Sequence, residues 1–257
     1  MTILPGLMMA FTKRAPGAPA DYFSWEVAGL SWLRQADGAD VVDVLEVGRE
    51  HLTLERLEQR SPTPDQVERF GVDLFRTHSA GAPSFGCGPP GWVGDGWIGR
   101  APLSLGNFNA WGEAFAEVRV LPFARMASAS GDLSPTALRD IEAVCQRLRD
   151  GEFDDGRPPA RIHGDLWAGN VMTTAAGCVL IDPAAQGGHG ETDLAMLALF
   201  GFPMLTRVQM TYAEAAGLDE AWPERIALHQ LHPLLVHAAL FGGGYGEQAA
   251  MAAAHYR

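Results

Sequence analysis

Residues 161–170 read Arg-Ile-His-Gly-Asp-Leu-Trp-Ala-Gly-Asn, and residues 178–183 read Cys-Val-Leu-Ile-Asp-Pro. A short turn rich in threonine, alanine and glycine stands between them. The pattern predicts a loop, a strand, a turn and a second strand. Three side chains capable of binding or catalysis lie on this segment, namely Asp165, Asn170 and Asp182.

The spacing of these three residues is typical of phosphoryl transfer. That reaction needs one carboxylate to orient the attacking hydroxyl group and two oxygen-bearing side chains to hold Mg²⁺ against the phosphates of a nucleotide. Protein-kinase catalytic loops place an asparagine five residues after the catalytic aspartate, and a metal-binding aspartate follows on a later strand. Asn170 comes 5 residues after Asp165, and Asp182 comes 12 residues after Asn170. The segment therefore predicts a kinase-type active site that acts on a small molecule.

The composition of the chain sets limits on its partners. Of 257 residues, 47% are hydrophobic and 19% charged, which is typical of a globular protein. The net charge of −12 argues against binding to nucleic acid or to an anionic membrane. The apolar first eleven residues precede Lys13 and Arg14, the reverse of a secretory signal, and no run reaches the roughly 20 apolar residues of a membrane span. We expect a cytoplasmic protein.

Several groups of residues are not expected to form metal or disulfide sites. The three cysteines are too few and too widely spaced for a disulfide framework or a zinc site. Three histidines share the predicted last helix, but their spacing does not direct them to one metal ion. We expect these histidines, His229, His232 and His237, to lie in the core or on the surface.

Predicted strands dominate before residue 60 and predicted helices after it, which indicates an α+β protein with two lobes. Residues 1–58 would form a reduced N-terminal β lobe that binds nucleotide, and residues 59–257 a mainly helical catalytic and substrate lobe. The predicted strands are 7–13, 41–47 and 51–57. The predicted helices are 21–35, 64–79, 110–127, 134–148, a helix that starts at 192–200, and 223–240. Residues 81–105, rich in glycine, proline and tryptophan, are predicted to be a long ordered loop.

Three motifs together resemble the fructosamine kinase (ketosamine-3-kinase) family. They are His163-Gly-Asp-Leu-Trp-Ala-Gly-Asn170, Ile181-Asp-Pro-Ala-Ala185 and Glu191-Thr-Asp-Leu-Ala-Met196. The His-Gly-Asp motif alone marks the wider aminoglycoside phosphotransferase and protein-kinase-like superfamily, whereas the Leu-Trp and Asp-Pro-Ala-Ala elements are specific to this branch. The resemblance covers about residues 10–248. It implies a protein-kinase-like fold and an ATP-dependent kinase that phosphorylates a sugar hydroxyl of ketosamines, such as fructosamines or ribulosamines.

The resemblance also assigns the catalytic and metal-binding roles. Asp165 would be the catalytic base, and Asn170 and Asp182 would hold Mg²⁺. Lys13 would contact the ATP phosphates, and Glu26 would be its ion-pair partner on the following helix. A carboxylate partner orients a flexible ammonium group that would otherwise be costly to place.

Further roles follow from the same resemblance. Glu55 and Leu57 match the hinge that meets the adenine edge through backbone groups. Trp167 and Glu191 are candidate substrate contacts, although Trp167 could equally pack in the core and Glu191 could be a solvated residue. We expect His163 and Asp193 to support the catalytic loop.

The chain departs from the family pattern in two places. Only twelve residues precede Lys13, which are too few for the two strands and glycine-rich hairpin that cover the phosphates in this fold, so we expect weak ATP binding and an exposed strand edge. Gly190 stands where relatives often carry arginine.

Alternative functions remain open at this point. An aminoglycoside- or choline-type phosphotransferase would use the same catalytic residues, and substrate profiling would separate it from a ketosamine kinase. A truncated, non-catalytic protein that only binds ligand would retain the fold, and ATP turnover would separate it from an enzyme. The partner is expected to be a small glycated amine, and the chain a monomer or a homodimer.

Overall fold

A computed structural model describes residues 10–257 of the chain. The strands are β1 (Ala10–Arg14), β2 (Asp40–Val41), β3 (Val44–Val47), β4 (His51–Glu55), β5 (Gly96–Ile98), β6 (Ala101–Leu103), β7 (Ala160–Ile162), β8 (Val171–Thr173), β9 (Cys178–Leu180) and β10 (Gln186–Gly188). The α-helices are α1 (Tyr22–Arg34), α2 (Pro64–Ser79), α3 (Trp111–Ala114), α4 (Leu121–Ser130), α5 (Pro135–Arg149), α6 (Gly190–Phe200), α7 (Leu205–Ala216), α8 (Ile226–His229), α9 (Leu231–Phe241) and α10 (Tyr245–Ala254). A π-helical turn (Phe115–Val120) joins α3 to α4, and 3₁₀ turns lie at Ala168–Asn170 and Trp222–Arg225.

The N-terminal lobe is a small antiparallel sheet in the order β1-β4-β3, covered by α1. Leu52 and Leu54 alternate inward from β4 and pack with Phe23 and Leu30 of the helix. Because Lys13 pairs with Leu52 in the register of β1 and β4, it lies beside the helix that carries Glu26. The strand predicted at 7–13 is found at Ala10–Arg14, and its first three positions lie outside the described residues.

The region predicted to be one strand at 41–47 contains two strands, β2 and β3. They pair with strands of different lobes and so connect the lobes. β3 pairs with β4 in the N-terminal sheet, whereas β2 pairs in parallel with β9 of the C-terminal lobe. Since β9 leads directly to Asp182, this pairing fixes the second predicted metal ligand against the N-terminal lobe.

The catalytic segment has the predicted order of elements. β7 ends at Ile162, the 3₁₀ turn carries Asn170, and the hairpin β8–β9 returns the chain to Asp182. β10 then pairs antiparallel with β7, so that the loop after Ile162 is held between two short sheets. The expectation of loop, strand, turn and strand is confirmed.

The helical lobe is built on amphipathic helices with defined starts. Thr63 and Gln66 form a reciprocal capping box at α2, and Ser134 caps α5. Along α2, Val67, Phe70 and Leu74 recur on one face and are buried. Val72 and Phe75 of the same helix are only partly buried.

Two prolines explain where the long predicted helices break. Pro122 has no N–H to donate to the Val118 carbonyl, and the predicted helix 110–127 passes through the π-helical turn before continuing to Ser130. Pro233 likewise cannot bond to His229, and the predicted helix 223–240 is split into α8 and α9.

Two other sequence expectations need correction. The region 81–105, expected to be a loop, contains the hairpin β5–β6. Trp25 of α1 fixes this hairpin, since its indole N–H donates to the Trp97 carbonyl at 2.8 Å. A further helix, α10, follows the glycine run 242–244 where the last helix was expected to end.

Within residues 10–257, none of the helices combines the length and the apolar character needed to cross a bilayer.

Candidate active site

The loop that carries Asp165 is fixed by a buried aspartate. Asp193 stands in the first turn of α6 and is completely buried. Its carboxylate accepts the backbone N–H groups of His163 at 2.7 Å and Gly164 at 3.0 Å, and lies 3.0 Å from Nε2 of His78. Burial by itself would raise the pKa of Asp193, but the contact with His78 and the loop amide outweigh it and lower the pKa. Asp193 is therefore ionised and holds the backbone of the loop.

His163 supports the same loop from the other side. Its Nε2 lies 2.9 Å from the Ile181 carbonyl, and its Nδ1 lies 3.2 Å from the backbone nitrogen of Asp165. Because a carbonyl can only accept, Nε2 carries the proton and Nδ1 accepts the Asp165 N–H. Burial lowers the pKa of His163, which agrees with this neutral form. The ring ties the catalytic loop to the strand end that precedes Asp182.

Asp165 and Asn170 are in direct contact across the loop. Asn170 Nδ2 donates to the backbone carbonyl of Asp165 at 2.8 Å and to its carboxylate at 3.1 Å. Burial raises the pKa of Asp165 to about 7, against the lowering effect of the Asn170 hydrogen bond. A carboxylate with a pKa near neutrality can take and release a proton under working conditions.

Lys13 bridges two carboxylates. Its Nζ lies 2.5 Å from Oε1 of Glu26 and also contacts Oδ1 of Asp182. Although burial alone would lower the pKa of Lys13, the two carboxylates raise it. Burial raises the pKa of Glu26 to about 8, opposed by Lys13. Lys13 is the only lysine of the chain, so these contacts place the one ammonium side chain of the protein next to Asp182.

Asp182 has a backbone conformation that few side chains adopt. Its φ is 52°, in the left-handed region that is unfavourable for residues other than glycine, asparagine and aspartate. Such positions are concentrated at functional sites, where the surrounding structure compensates for the strain. Burial tends to raise the pKa of Asp182, but the Lys13 ammonium outweighs it and lowers the pKa.

One pocket of about 290 Å³ brings these residues together. Lys13, Glu26, Asp165, Asn170 and Asp182 all line it, so residues separated by up to 169 positions meet in one cleft. Tyr22, Trp97 and Gly99 complete its wall from α1 and the β5–β6 hairpin. None of these three residues belongs to a sequence motif that predicts a site. The hairpin that carries Trp97 reaches the cleft by tertiary packing alone. The Gly96-Trp97 pair, in a region rich in loop residues, is therefore the only sequence feature that points to it.

A second pocket, of about 470 Å³, adjoins the first at Asp182. Glu55 and Leu57, the predicted hinge residues, line it, and so do Phe11, Met172 and Ile181. Met172 lies on β8 and Ile181 directly follows β9, and no sequence motif marks either of them as a pocket residue. The lining is mostly apolar and includes residues 55–57. Its size and chemistry suit a flat heteroaromatic ring.

The two candidate substrate residues have different surroundings. Trp167 is 42% exposed beside the catalytic loop. Glu191 is 2% exposed, and its two carboxylate oxygens accept hydrogen bonds from Arg225, one at 2.8 Å and the other at 2.5 Å. Glu191 is thus a buried ion-pair residue, and this geometry does not support either a substrate contact or a solvated position.

Glu191 also lies close to two histidines, His189 and His229. His189 already uses both ring nitrogens, one accepting the Glu191 backbone N–H and the other on Asp155. Of the three residues, His229 keeps a free ring nitrogen, since its Nε2 has no hydrogen-bond partner among the described residues. Because Arg225 occupies the Glu191 carboxylate and both nitrogens of His189 are engaged, the cluster does not present three free ligands to a metal ion. Of the three histidines of the predicted last helix, His229 lies on α8, and His232 and His237 lie on α9.

Comparison with known proteins agrees with this geometry. The model of the family "Fructosamine kinase" matches residues 6–256. A probable ketoamine kinase of Thermus thermophilus is 33% identical over 234 residues, which cover 91% of this chain and 82% of that protein. A probable ketoamine kinase of Synechocystis is 35% identical over 204 residues, covering 79% of this chain and 66% of the relative.

Solved structures show the same relationship. A proposed fructosamine-3-kinase from Thermobifida fusca superposes with a TM-score of 0.89 at 46% identity, over 96% of this chain and 85% of that one. An aminoglycoside phosphotransferase, solved with ADP and hygromycin B, superposes with a TM-score of 0.60 at 15% identity, over 99% and 90% of the two chains, which shows a shared fold. The two-lobed α+β fold is therefore that of the kinase-like phosphotransferases, and this chain belongs to the fructosamine kinase family of phosphotransferases.

Proposed function

We propose that this protein is an ATP- and Mg²⁺-dependent kinase that phosphorylates a sugar hydroxyl of small ketosamines. The observation that carries the proposal is the convergence of Lys13, Asp165, Asn170 and Asp182 on one cleft that opens into an apolar pocket. A purely ligand-binding protein would have no chemical use for a near-neutral carboxylate beside two further oxygen donors.

The nucleotide would lie across both pockets. The adenine ring would occupy the pocket between Leu54 and Ile181, with its edge toward the Glu55 carbonyl and the Leu57 amide. The phosphates would then extend past Asp182 into the cleft, where the ammonium of Lys13 is held by Glu26. An ammonium group that is already held in place beside the phosphates compensates the negative charge of the phosphates without further reorganisation.

The donor set of the cleft suits Mg²⁺. Asp182 offers carboxylate oxygens, and Asn170 uses its Nδ2 group on Asp165, which leaves its Oδ1 as the acceptor. Hard oxygen donors of this kind are what Mg²⁺ prefers, usually one or two protein ligands with the remainder from phosphate and water. Asp182 already holds a cation, the ammonium of Lys13, so its surroundings favour positive charge. When bound, the metal would neutralise charge on the β- and γ-phosphates.

Asp165 would act on the acceptor. Its carboxylate would accept the proton of the sugar hydroxyl while the hydroxyl oxygen forms a bond to the γ-phosphorus, and the bond from that phosphorus to the β–γ bridging oxygen breaks to release ADP. Asn170 and the backbone contacts of His163 keep the carboxylate in position. General base catalysis of this kind contributes about 10²- to 10⁴-fold to the rate.

An aromatic patch beside the loop supports a ketosamine as acceptor. Trp167 packs against Phe200 of α6, and Phe200 contacts His237 and Tyr245 of α9 and α10. Aromatic faces pack on the apolar side of a sugar ring and attract a neighbouring ammonium group. The acidic balance of the chain, with net charge −12, also favours a cationic acceptor.

A panel of acceptors tests the proposal. With Mg-ATP, fructosyl-lysine and ribulosyl-lysine should be phosphorylated more efficiently than free sugars, choline or kanamycin. Trp167→Ala should raise KM for the ketosamine with a smaller effect on KM for ATP, while the control Trp222→Ala, at a residue that lines neither pocket, should leave both unchanged.

Two other results would lead to other conclusions. Preference for kanamycin would favour an aminoglycoside phosphotransferase, which the shared fold also accommodates. Absence of ATP turnover with every acceptor would contradict the enzymatic proposal.

A further inference from the structure

Tyr22 brings an uncommitted hydroxyl group to the catalytic cleft. It lines the same pocket as Lys13, Asp165 and Asp182, and its side chain is half-buried. Within residues 10–257 the hydroxyl has no hydrogen-bond partner, and it is accessible to solvent, so a ligand in the cleft can reach it. The other buried or half-buried tyrosines with a known partner differ, since Tyr212 bonds to His78.

The start of α1 directs this hydroxyl toward the charged groups of the site. Tyr22 is the first residue of α1 and comes four residues before Glu26, so the two side chains lie one turn apart on the same face of the helix. Burial raises the pKa of Tyr22, Lys13 lowers it, and Glu26 and Asp182 raise it further. The net effect is a raised pKa, so the phenol keeps its proton at neutral pH and can donate it in a hydrogen bond.

The ring of Tyr22 is positioned by packing. Its centroid lies 5.3 Å from the ring of Phe23, in an edge contact, and 6.2 Å from the ring of Trp97. Trp97 is itself held at both ends, because its carbonyl accepts from Trp25 at 2.8 Å and its indole N–H donates to Asp21 at 3.3 Å. A donor that is fixed before the ligand arrives needs little reorganisation during the reaction.

The cleft offers few other donors to a phosphate group. Its three carboxylates would repel the phosphate, its two indole N–H groups already donate to protein oxygens, and the Asn170 amide group donates to Asp165. The remaining side-chain donors among the described lining residues are those of Lys13, Arg14 and Tyr22. Arg14 is exposed at the end of β1, which leaves Tyr22 as an uncharged donor with a fixed position.

We infer, on the basis of the proposed function, that Tyr22 is a further catalytic residue whose hydroxyl donates a hydrogen bond to a non-bridging oxygen of the terminal phosphate of ATP. During transfer, negative charge is spread over the three peripheral oxygens of this phosphoryl group. Lys13 supplies positive charge, and Tyr22 supplies a directed hydrogen bond. Because the phenol is neutral, it does not form an ion pair with Asp165 or Asp182 that would compete with the metal or the acceptor.

Nucleotide binding by Tyr22→Phe tests the inference without requiring turnover. The change removes one oxygen atom from a half-buried ring, so Tm should stay within a few degrees of wild type. In calorimetric titrations, we expect the Kd for Mg-ATP to rise by roughly tenfold, the effect of losing a hydrogen bond to a charged group. The Kd for Mg-ADP, which lacks the terminal phosphate, should change less than about twofold. The matched control Tyr256→Phe should keep both affinities, since the Tyr256 hydroxyl donates to the Glu224 carbonyl and lines neither pocket.

The wild-type protein allows a direct observation of the same contact. With tyrosine labelled with ¹³C at Cζ, the chain gives four signals, and the Tyr22 signal is the one missing from Tyr22→Phe. Mg-ATP should shift this signal more than Mg-ADP does.

The possible outcomes separate this inference from the proposed function. Equal losses of affinity for ATP and ADP in Tyr22→Phe, unchanged affinity for both, or a change in the KM of the acceptor alone would overturn the role of Tyr22 and leave the proposed kinase function in place. Failure of the wild-type protein to bind Mg-ATP would refute both.

Discussion

Asn170 donates hydrogen bonds to both the backbone carbonyl and the carboxylate of Asp165, at 2.8 and 3.1 Å. The proposed metal ligand and the proposed base therefore form one unit rather than two independent groups. The bond fixes the amide so that its oxygen is left for a cation, and it also favours the ionised form of Asp165. Changes at either residue should affect the other.

Replacing Asp165 tests the base. Asp165→Asn keeps the shape of the side chain but cannot accept a proton, so kcat should fall by about 10²- to 10⁴-fold. Tm should stay within a few degrees, and the Kd for Mg-ATP within about threefold. Turnover above about a tenth of wild type, a loss of only ~1.4 kcal/mol in transition-state stabilisation, would show that Asp165 is not the base.

The pH dependence should reflect the raised pKa of Asp165. The base must be ionised, and burial raises its pKa to about 7, so kcat/KM should fall about tenfold for each pH unit below 7 and level off above it. Profiles of kcat/KM should be measured at saturating Mg-ATP with two acceptors whose amines have different pKa values. Comparing them distinguishes titration of the enzyme from titration of the substrate. A flat profile between pH 5.5 and 8 would contradict this assignment.

Replacing Asp182 tests the metal site. Asp182→Ala removes a hard oxygen ligand that a methyl group cannot replace. Calorimetric titration should show that Mg²⁺ no longer increases the affinity for ATP, whereas the exposed control Glu220→Ala should behave as wild type. If ATP binding by Asp182→Ala still depends on magnesium as in the wild type, other residues hold the metal.

The single lysine allows a direct measurement at the proposed phosphate contact. Reductive methylation with ¹³C-formaldehyde labels only Lys13 and the terminal amine, because the chain has no other lysine. Mg-ATP should shift the dimethyl-lysine signal as the phosphates displace Asp182 from Lys13, while the signal of the terminal amine stays in place. Glu26→Gln should reduce the ATP-induced change, since it removes one of the two carboxylates that position the ammonium. An unmoved lysine signal at saturating Mg-ATP would exclude the contact.

Asp193 is expected to stabilise the fold as well as the loop. Asp193→Asn places an NH₂ group against backbone donors and leaves buried groups unpaired, at a cost of about 3–5 kcal/mol. For a chain of this size that corresponds to a fall in Tm of roughly 6–15 °C. The exposed change Glu220→Gln should cost less than ~0.5 kcal/mol.

The pH dependence of stability gives Asp193 a second test. Because its folded-state pKa is lowered, its contribution is present above the unfolded value of about 3.9 and is lost as the pH falls below that. The difference in Tm between wild type and Asp193→Asn should therefore shrink in acid. A constant difference down to pH 3 would mean that the carboxylate is not the source of the stability.

The sequence by itself determined the segment that carries the chemistry. Asp165, Asn170 and Asp182 lie within 18 positions of one another, and local strand and turn propensities are enough to place them. The start of α2 at Thr63 and its apolar face of Val67, Phe70 and Leu74 are also local properties, since both depend on neighbours three or four residues away.

Only the tertiary structure decided which distant residues complete the site. The approach of Lys13 to Asp182 depends on the pairing of β2 with β9, and the approach of Trp97 on a hydrogen bond from Trp25. Glu191, read from sequence as a substrate contact or a solvated residue, is buried because Arg225 folds back onto it from 34 positions away.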